Sequence, residues 1–361
     1  MIFRVPSYYK KFHCIADQCK DSCCIGWEID IDDDTFDYYK SIEGDFGARL
    51  KKHMVSEDVN SFLLQENGWC PFLNKQKLCD ICIELGEEAL SEVCTEYPRF
   101  TVTYGNVMEK ALSLSCEEAG RILFSETEKT VFDEMEMPDL WDEEEEDVEE
   151  ELQLFREHLE EYRDEAIRIL QDRTRSVTER AGEYLLFCEQ MQQVEHQSVE
   201  NRQVDLEMDL WDRIAAFEEL EVLNEEWTDA IEEVKTFYRE HSWKEAWQEY
   251  RASDAYHEIW YEHLLVYFTF RYFMKAWYDG NLLTKAQFAI ASYMMIRDMD
   301  VVRYYKNNRQ FLLEDRIDIA RIYSKEVEHS EMNLALLEED FSFEDEFFVK
   351  HMLHQLEGTE K

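Results

Sequence analysis

The sequence predicts a mostly α-helical protein. A cysteine-rich, metal-binding N-terminal region with short irregular or β elements packs on a larger all-helical domain, and no Rossmann-like fold is expected. Three observations carry this. Nine of the ten cysteines fall between Cys14 and Cys116. Gly 10 and Pro 4 are few for 361 residues, which favours long helices over tight turns. From Glu151 onward apolar residues recur at three- and four-residue intervals, the period of a helix with one buried face.

Taken in order, residues 1–30 read as loop and short turn, and residues 34–54 as a helix with Tyr38, Tyr39 and Leu50 among its apolar positions. A cysteine knuckle follows around Gly68 and Pro71. Residues 84–95 read as helical and deliver Cys94 on their last turn. Tyr97-Pro98-Arg99 ends that helix, because proline disfavours α geometry in the residue before it. Residues 100–104 (FTVTY) have the β-branched and aromatic content of a short strand. Residues 106–125 are expected to form a helix carrying Cys116. The segment 126–150 reads as an acidic linker, with eight carboxylates in the nine positions 142–150. The organisation drawn is therefore 1–125 cysteine-rich region, 126–150 linker and 151–361 helical domain. Within the last, helices are expected at 151–172, 178–197, 207–219, 225–239, 243–278, 281–299 and 312–326, with shorter ones at 329–339 and 343–355. The stretch YEHLLVYFTFRYFMKAWY, 261–278, is aromatic nearly all round and should be central and buried.

The formal net charge of -45, from 83 acidic and 38 basic residues, repels nucleic-acid phosphates and anionic lipid. No nucleic acid and no membrane are expected as partners. The N-terminus lacks the apolar run of a signal peptide, and no stretch of 18 apolar residues exists. A cytoplasmic location is expected, and in a reducing compartment clustered thiols are better explained by metal than by disulfides.

The cysteine pattern is Cys14-x4-Cys19-x3-Cys23-Cys24, then Cys70, Cys79, Cys82, Cys94 and Cys116. Soft thiolates at such spacings suit zinc or an iron–sulfur cluster. Nine thiols exceed the need of one four-ligand site, so either two sites exist or several thiols are core residues.

The blocks PSYYKKFHCIADQCKDSCCIGWEIDID, WCPFLNKQKLCDICIELGEEALSEVCTEYPR and LSLSCEEAGRIL resemble the flagellin lysine-N-methylase family, FliB. The same cysteine pattern resembles that of small proteins described as zinc- or iron-chelating, in Cys23-Cys24, Cys70-Pro71-Phe72-Leu73, Cys79 and Cys94-Thr95-Glu96-Tyr97-Pro98. VYFTFRYF at 266–273, AQFAIASYMMIRD at 286–298 and YSKEVEHSEMNL at 323–334 also look like family blocks. The resemblance implies methyl transfer from S-adenosylmethionine to lysines of flagellin, or of another lysine-bearing protein. It also implies a structural [4Fe–4S] cluster, with zinc as the alternative. The metal ligands it implies are Cys14, Cys19, Cys23, Cys24, Cys70, Cys79 and Cys94, with Cys116 a further candidate and Cys82 a bystander.

Methyl transfer to an amine is an in-line displacement that needs a neutral lysine and an environment that holds the donor's sulfonium. No G-x-G-x-x-G follows a strand, and the Cys-x3-Cys-x2-Cys signature of radical enzymes is absent. Tyr267, Arg271 and Tyr272 interrupt the apolar aromatic helix and, with Tyr323, are the cofactor-binding candidates. A buried arginine needs an acidic partner or a ligand carboxylate, so an internal ion pair is the plainer account of Arg271. Glu326 and His329, three apart and able to share a face, are the catalytic candidates; an exposed helix edge is the plainer account there. Tyr97 and Arg99 are expected to brace the metal loop. Two other functions remain open: an electron-transfer or metal-storage protein, and a zinc-stabilised interaction module.

Overall fold

The structure is a computed structural model that describes residues 1–27, 29–56, 59–138, 150–192 and 203–358. Most of the expected acidic run at 142–150 lies outside the described residues.

The N-terminal part holds more β structure than the sequence predicts. It runs β1 (Ile2–Pro6), α1 (Asp33–Ser41), α2 (Gly44–Lys52), β2 (Met54–Ser56), β3 (Asn60–Phe62), α3 (Asp80–Leu85), α4 (Glu92–Glu96), β4 (Arg99–Tyr104), β5 (Val107–Leu112), α5 (Glu117–Ser125) and β6 (Phe132–Glu136). The helix expected over 34–54 divides into α1 and α2 at Ile42 and Glu43, which are extended, and Gly44 enters α2 at φ 81°, a value that favours glycine. The helix expected over 106–125 begins only at Glu117. Val107–Leu112 is instead a strand with near-alternating burial, the period of a sheet. Gly105, at φ 44°, turns the chain between β4 and β5. Segments read as loop and linker supply β1 and β6. The four strands order as β4-β5-β1-β6, with β1 parallel to β5 and the other pairs antiparallel. This small mixed sheet is unlike a doubly wound one.

The helical body follows: α6 (Glu150–Leu170), α7 (Val177–Gln192), α8 (Leu206–Glu218), α9 (Glu225–Glu240), α10 (Trp243–Arg251), α11 (Glu258–Tyr272), α12 (Ala276–Asp279), α13 (Leu282–Lys306), α14 (Leu313–Val327), α15 (Glu331–Phe343) and α16 (Val349–Glu357). Side-chain N-caps at Asp205, Asn224, Ser242, Asn281 and Ser330 accept backbone N–H bonds and mark where α8, α9, α10, α13 and α15 begin. The aromatic helix α11 and the long α13 are buried nearly all round, as their patterns require. No described helix is long and apolar enough to cross a membrane.

Two buried clusters form the core. The larger joins Tyr8, Phe12, residues of β4, β5 and α5, and the inner faces of the helical body. The smaller gathers Ile29, Ile31, Phe36, Tyr39, Leu50, Phe62, Phe72 and Ile81 around Cys70. The sheet is tied to α6 by Glu109, which accepts from Arg4 at 2.7 Å, Arg163 at 2.6 Å and Tyr104 at 2.8 Å. All but the rim of this cluster is buried, so the carboxylate is compensated where it is most costly to leave alone.

Candidate functional site

Three elements converge on one buried polar network. The turn after β5, Ser113-Leu114-Ser115, is held by Ser113 N–H donating to the Pro98 carbonyl at 2.7 Å. Helix α11 contributes Tyr267, Arg271 and Tyr272. The end of α14 contributes Glu328, its C-cap, and His329, the residue after it. Arg271 ion-pairs with Glu328 at 3.1 Å and donates to the Tyr267 hydroxyl at 2.6 Å and to Ser113 at 3.3 Å. Tyr267 and Tyr272 each donate to the Glu328 carboxylate at 3.0 Å. The Phe100 ring lies 4.3 Å from the guanidinium. Burial opposes the charge on Arg271, but Glu328 and the two tyrosines hold its pKa above the ordinary arginine value. The pair is therefore neutral as a unit.

His329 also reaches Ser113, its Nε2 3.5 Å from that hydroxyl. Its Nε2 is 2.9 Å from the Ser115 hydroxyl, which is also 3.1 Å from the Tyr97 hydroxyl. Burial, then the cations Arg271 and Lys325, push His329 down to about 4, so the ring is neutral near pH 7. Around it stand two more rings. The Trp27 centroid is 6.0 Å from His329 and 5.7 Å from Tyr97, and Tyr97 is 6.3 Å from His329.

Beside the network a cleft of about 480 Å³ is lined by Tyr272, Lys275, Phe288, Glu331 and Glu338 among others. That is the size range of small-molecule sites. Burial, with Arg271 and Lys285 nearby, lowers the pKa of Lys275, whose ammonium lies 5.0 Å from the Tyr272 ring.

Of the sequence-predicted residues, Tyr267, Arg271, Tyr272 and His329 come together. Tyr323 does not touch this network: it is fully buried and donates to Ser292 at 2.6 Å among Phe217, Trp227 and Phe268. Glu326 does not share a face with His329. The helix ends at Val327, so His329 leaves it, while Glu326 points to the α8–α9 connection and accepts from Leu223 N–H at 2.9 Å. Burial raises the Glu326 carboxyl to about 7. Glu328, the residue before His329, is the carboxylate that faces Arg271. Ser113, Ser115 and Trp27 join the site without a sequence signal strong enough to select them. Tyr97, expected to brace the metal loop, meets the Ser115 hydroxyl at 3.1 Å and the Trp27 ring at 5.7 Å, whereas Arg99 stacks 5.3 Å from Phe12.

The thiols fall into two neighbourhoods that meet at Cys23 and Cys24, whose thiols hydrogen-bond to each other. Cys24 accepts at its carbonyl from Cys70 N–H at 2.8 Å, and Cys79 pairs with Leu73 at the start of α3. Cys24, Cys79 and Cys94 all act on the Cys70 thiol, which burial pushes up to about 12. On the other side, burial, then Cys116 and Cys14, push Cys19 up to about 12. The loop bearing Cys19 and Cys23 meets the start of α5, where Cys116 is N-cap, through Asp21 N–H donating to Glu117 at 2.7 Å. Cys82 lies on α3, hydrogen-bonded to Cys79. All ten thiols are free. Their chemistry suits a soft metal, but as the side chains stand no group of three or more Cys, His, Asp or Glu among the described residues is arranged to hold an ion.

Fold and site together define a helical protein with a thiol-rich head docked on a buried arginine–carboxylate–tyrosine network. The chain belongs to the FliB lysine N-methylase family: the family model described as FliB lysine N-methylase C-terminal domain matches residues 195–355, which contain the whole α11–α14 part of that network. The flagellar biosynthetic protein FliU of Salmonella muenchen is 32% identical over 140 residues, 33% of this chain and 75% of that protein. Lysine-N-methylases of Salmonella typhimurium and Salmonella choleraesuis are each 35% identical over 130 residues, 33% of this chain. The match spans only 31% of the length of these two relatives. No solved structure matches this chain significantly.

Proposed function

We propose that this protein transfers methyl groups from S-adenosylmethionine to lysine side chains of flagellin, in the cytoplasm, with an iron–sulfur cluster as a structural element of its head. The observation that carries the reading is the Arg271–Glu328 pair with neutral His329 beside it, placed inside the segment that matches the lysine N-methylase family. In the reaction a lysine nitrogen lone pair forms the new N–C bond while the S–CH3 bond breaks, its electrons remaining on sulfur. The amine must therefore lose its proton first. The cations that depress His329, Arg271 and Lys325, would depress an arriving ammonium in the same way. His329, neutral and held by Ser115, offers that amine a hydrogen-bonding wall without adding charge. The cleft beside Tyr272 offers room for the donor. Alignment of donor and acceptor would supply much of the rate.

The head's thiols fit an iron–sulfur or zinc site in kind, and the two neighbourhoods supply more than four ligands. Cys14, Cys19, Cys23, Cys24, Cys70, Cys79 and Cys94 are the residues that would hold the metal. A purely metal-binding or electron-transfer role is the second reading, favoured by the thiol count alone. Anaerobically purified protein incubated with S-adenosylmethionine and flagellin, followed by mass spectrometry of flagellin peptides, separates the two. Methylated lysines that require the donor are expected. A reducible metal centre with no methylation would favour the second reading.

A further inference from the structure

The network that joins Arg271 to Glu328 is already neutral, so it offers no unspent charge to a cationic group. The unspent functionality nearby is aromatic. Trp27, Tyr97 and His329 come from three separate elements: the loop after the paired cysteines, the α4–β4 junction and the turn after α14. Their centroids are 5.7, 6.0 and 6.3 Å apart, and the His329 plane stands at 78° to Trp27 and 70° to Tyr97. Rings this close together can share one guest within the cation–π range of about 6 Å. Each ring is only partly buried. Each polar edge is also tied down: Trp27 Nε1 donates to the Cys23 carbonyl at 2.7 Å, and the Tyr97 hydroxyl and His329 Nε2 both meet Ser115. These edge contacts fix the orientation of the three rings.

We infer that Trp27, Tyr97 and His329 form an aromatic cup for a methylated onium centre, either the donor's sulfonium or the methylated lysine product. It rests on the methylase reading above. Asp21, held ionised by Arg321 and Lys325, lies close enough to act on Tyr97. Each nearby cation has an anionic partner, Arg271 in Glu328 and Lys325 in Asp21 at 2.7 Å. His329 is uncharged at neutral pH, so it does not repel the guest. A π-lined cup also suits methyl groups better than a carboxylate does, because methylation spreads the charge and removes N–H donors.

The test is equilibrium binding without turnover, on the full metal-loaded chain. One arm compares a flagellin peptide bearing trimethyl-lysine with the same peptide bearing its neutral carbon isostere, in which a tert-butyl group replaces trimethylammonium. The other compares S-adenosylmethionine with its neutral thioether product. A preference of about tenfold or more for the charged member of either pair is expected, matching about 1.4 kcal/mol, and the arm that shows it names the guest. Trp27→Ala should abolish that preference while Trp27→Phe, which keeps a π face, retains most of it. Equal affinity within both pairs would overturn the cup. So would a preference unchanged in Trp27→Ala, or lost equally in Trp27→Phe. Methyl transfer is measured separately: an onium preference with no methyl transfer would sustain the cup and remove the methylase reading.

Discussion

Arg271 and Glu328 form a 3.1 Å ion pair away from water, joining the central aromatic helix to the residue that caps α14. Tyr267 and Tyr272 complete the carboxylate's hydrogen bonds, so the pair is both the floor of the candidate site and a bond between two elements of the core.

Removing one partner alone should therefore cost stability as well as activity. Arg271→Ala leaves Glu328 buried without its cation, and the expected loss is about 3–5 kcal/mol. The double change Arg271→Met with Glu328→Leu should recover most of it. Denaturant unfolding checks both. A single variant as stable as the parent would mean that the pair is not buried in solution.

The pH dependence of stability has two opposed contributions. His329, depressed from 6.5 to about 4 by burial and by Arg271 and Lys325, binds its proton less readily when folded. Its contribution is present above about pH 6.5 and is lost as pH falls towards 4. Glu326, raised from 4.5 to about 7 by burial, binds its proton more readily when folded. Its contribution is present below about pH 4.5 and is lost as pH rises through 7. Each amounts to roughly 3 kcal/mol at full extent, so they partly cancel in the parent. In His329→Gln, stability should fall more steeply as pH rises from 4.5 to 7. In Glu326→Gln it should rise over that window relative to the parent. Urea midpoints at a series of pH values give the comparison, and identical profiles in the two variants would contradict both assignments.

Asp21 clamps the cysteine loop to α14, accepting from Arg321 at 2.8 Å and Lys325 at 2.7 Å. These cations hold its carboxyl below the usual range against the effect of burial. Asp21→Asn should cost about 1–2 kcal/mol and speed amide exchange over residues 19–27 while leaving α13 protected. An equal loss of protection in α13 would show that the loop is not a separately opening unit.

Among the thiols, Cys23→Ser and Cys79→Ser should lower metal content and destabilise the head far more than Cys82→Ser. Removing a ligand removes folding free energy, whereas Cys82 adds only local packing on α3. Iron, sulfide and zinc analysis of anaerobically purified variants gives the answer. Equal metal in all three would refute the ranking.

The helical body was legible because its information is periodic: apolar residues recur at helical spacing, and the nearly continuous aromatic run of α11 marks a central helix. The sheet was not. β1 and β6 are five residues each and acquire their pairing from residues 100 or more positions away, which no local pattern reports. β5 was misread because VMEKAL also suits a helix, and the turn at Gly105 was the neglected clue. At the site, Arg271 stood out because a guanidinium in an aromatic helix must be compensated. Glu326 was preferred to Glu328 on helical spacing, but the helix ends between them, and a cap residue turns where the chain turns. Ser113 and Ser115 are too common a residue type to be singled out without the contact that gives them a role.

The most direct test of the central claim is single-turnover transfer of labelled methyl from S-adenosylmethionine to flagellin, comparing the parent protein with His329→Ala. The donor's dissociation constant is measured alongside. The account predicts lysine-borne label with the parent and a rate at least tenfold lower in the variant, with the fold intact by near-ultraviolet circular dichroism. Absence of label with metal-loaded parent protein, or an unchanged rate in His329→Ala, would contradict it.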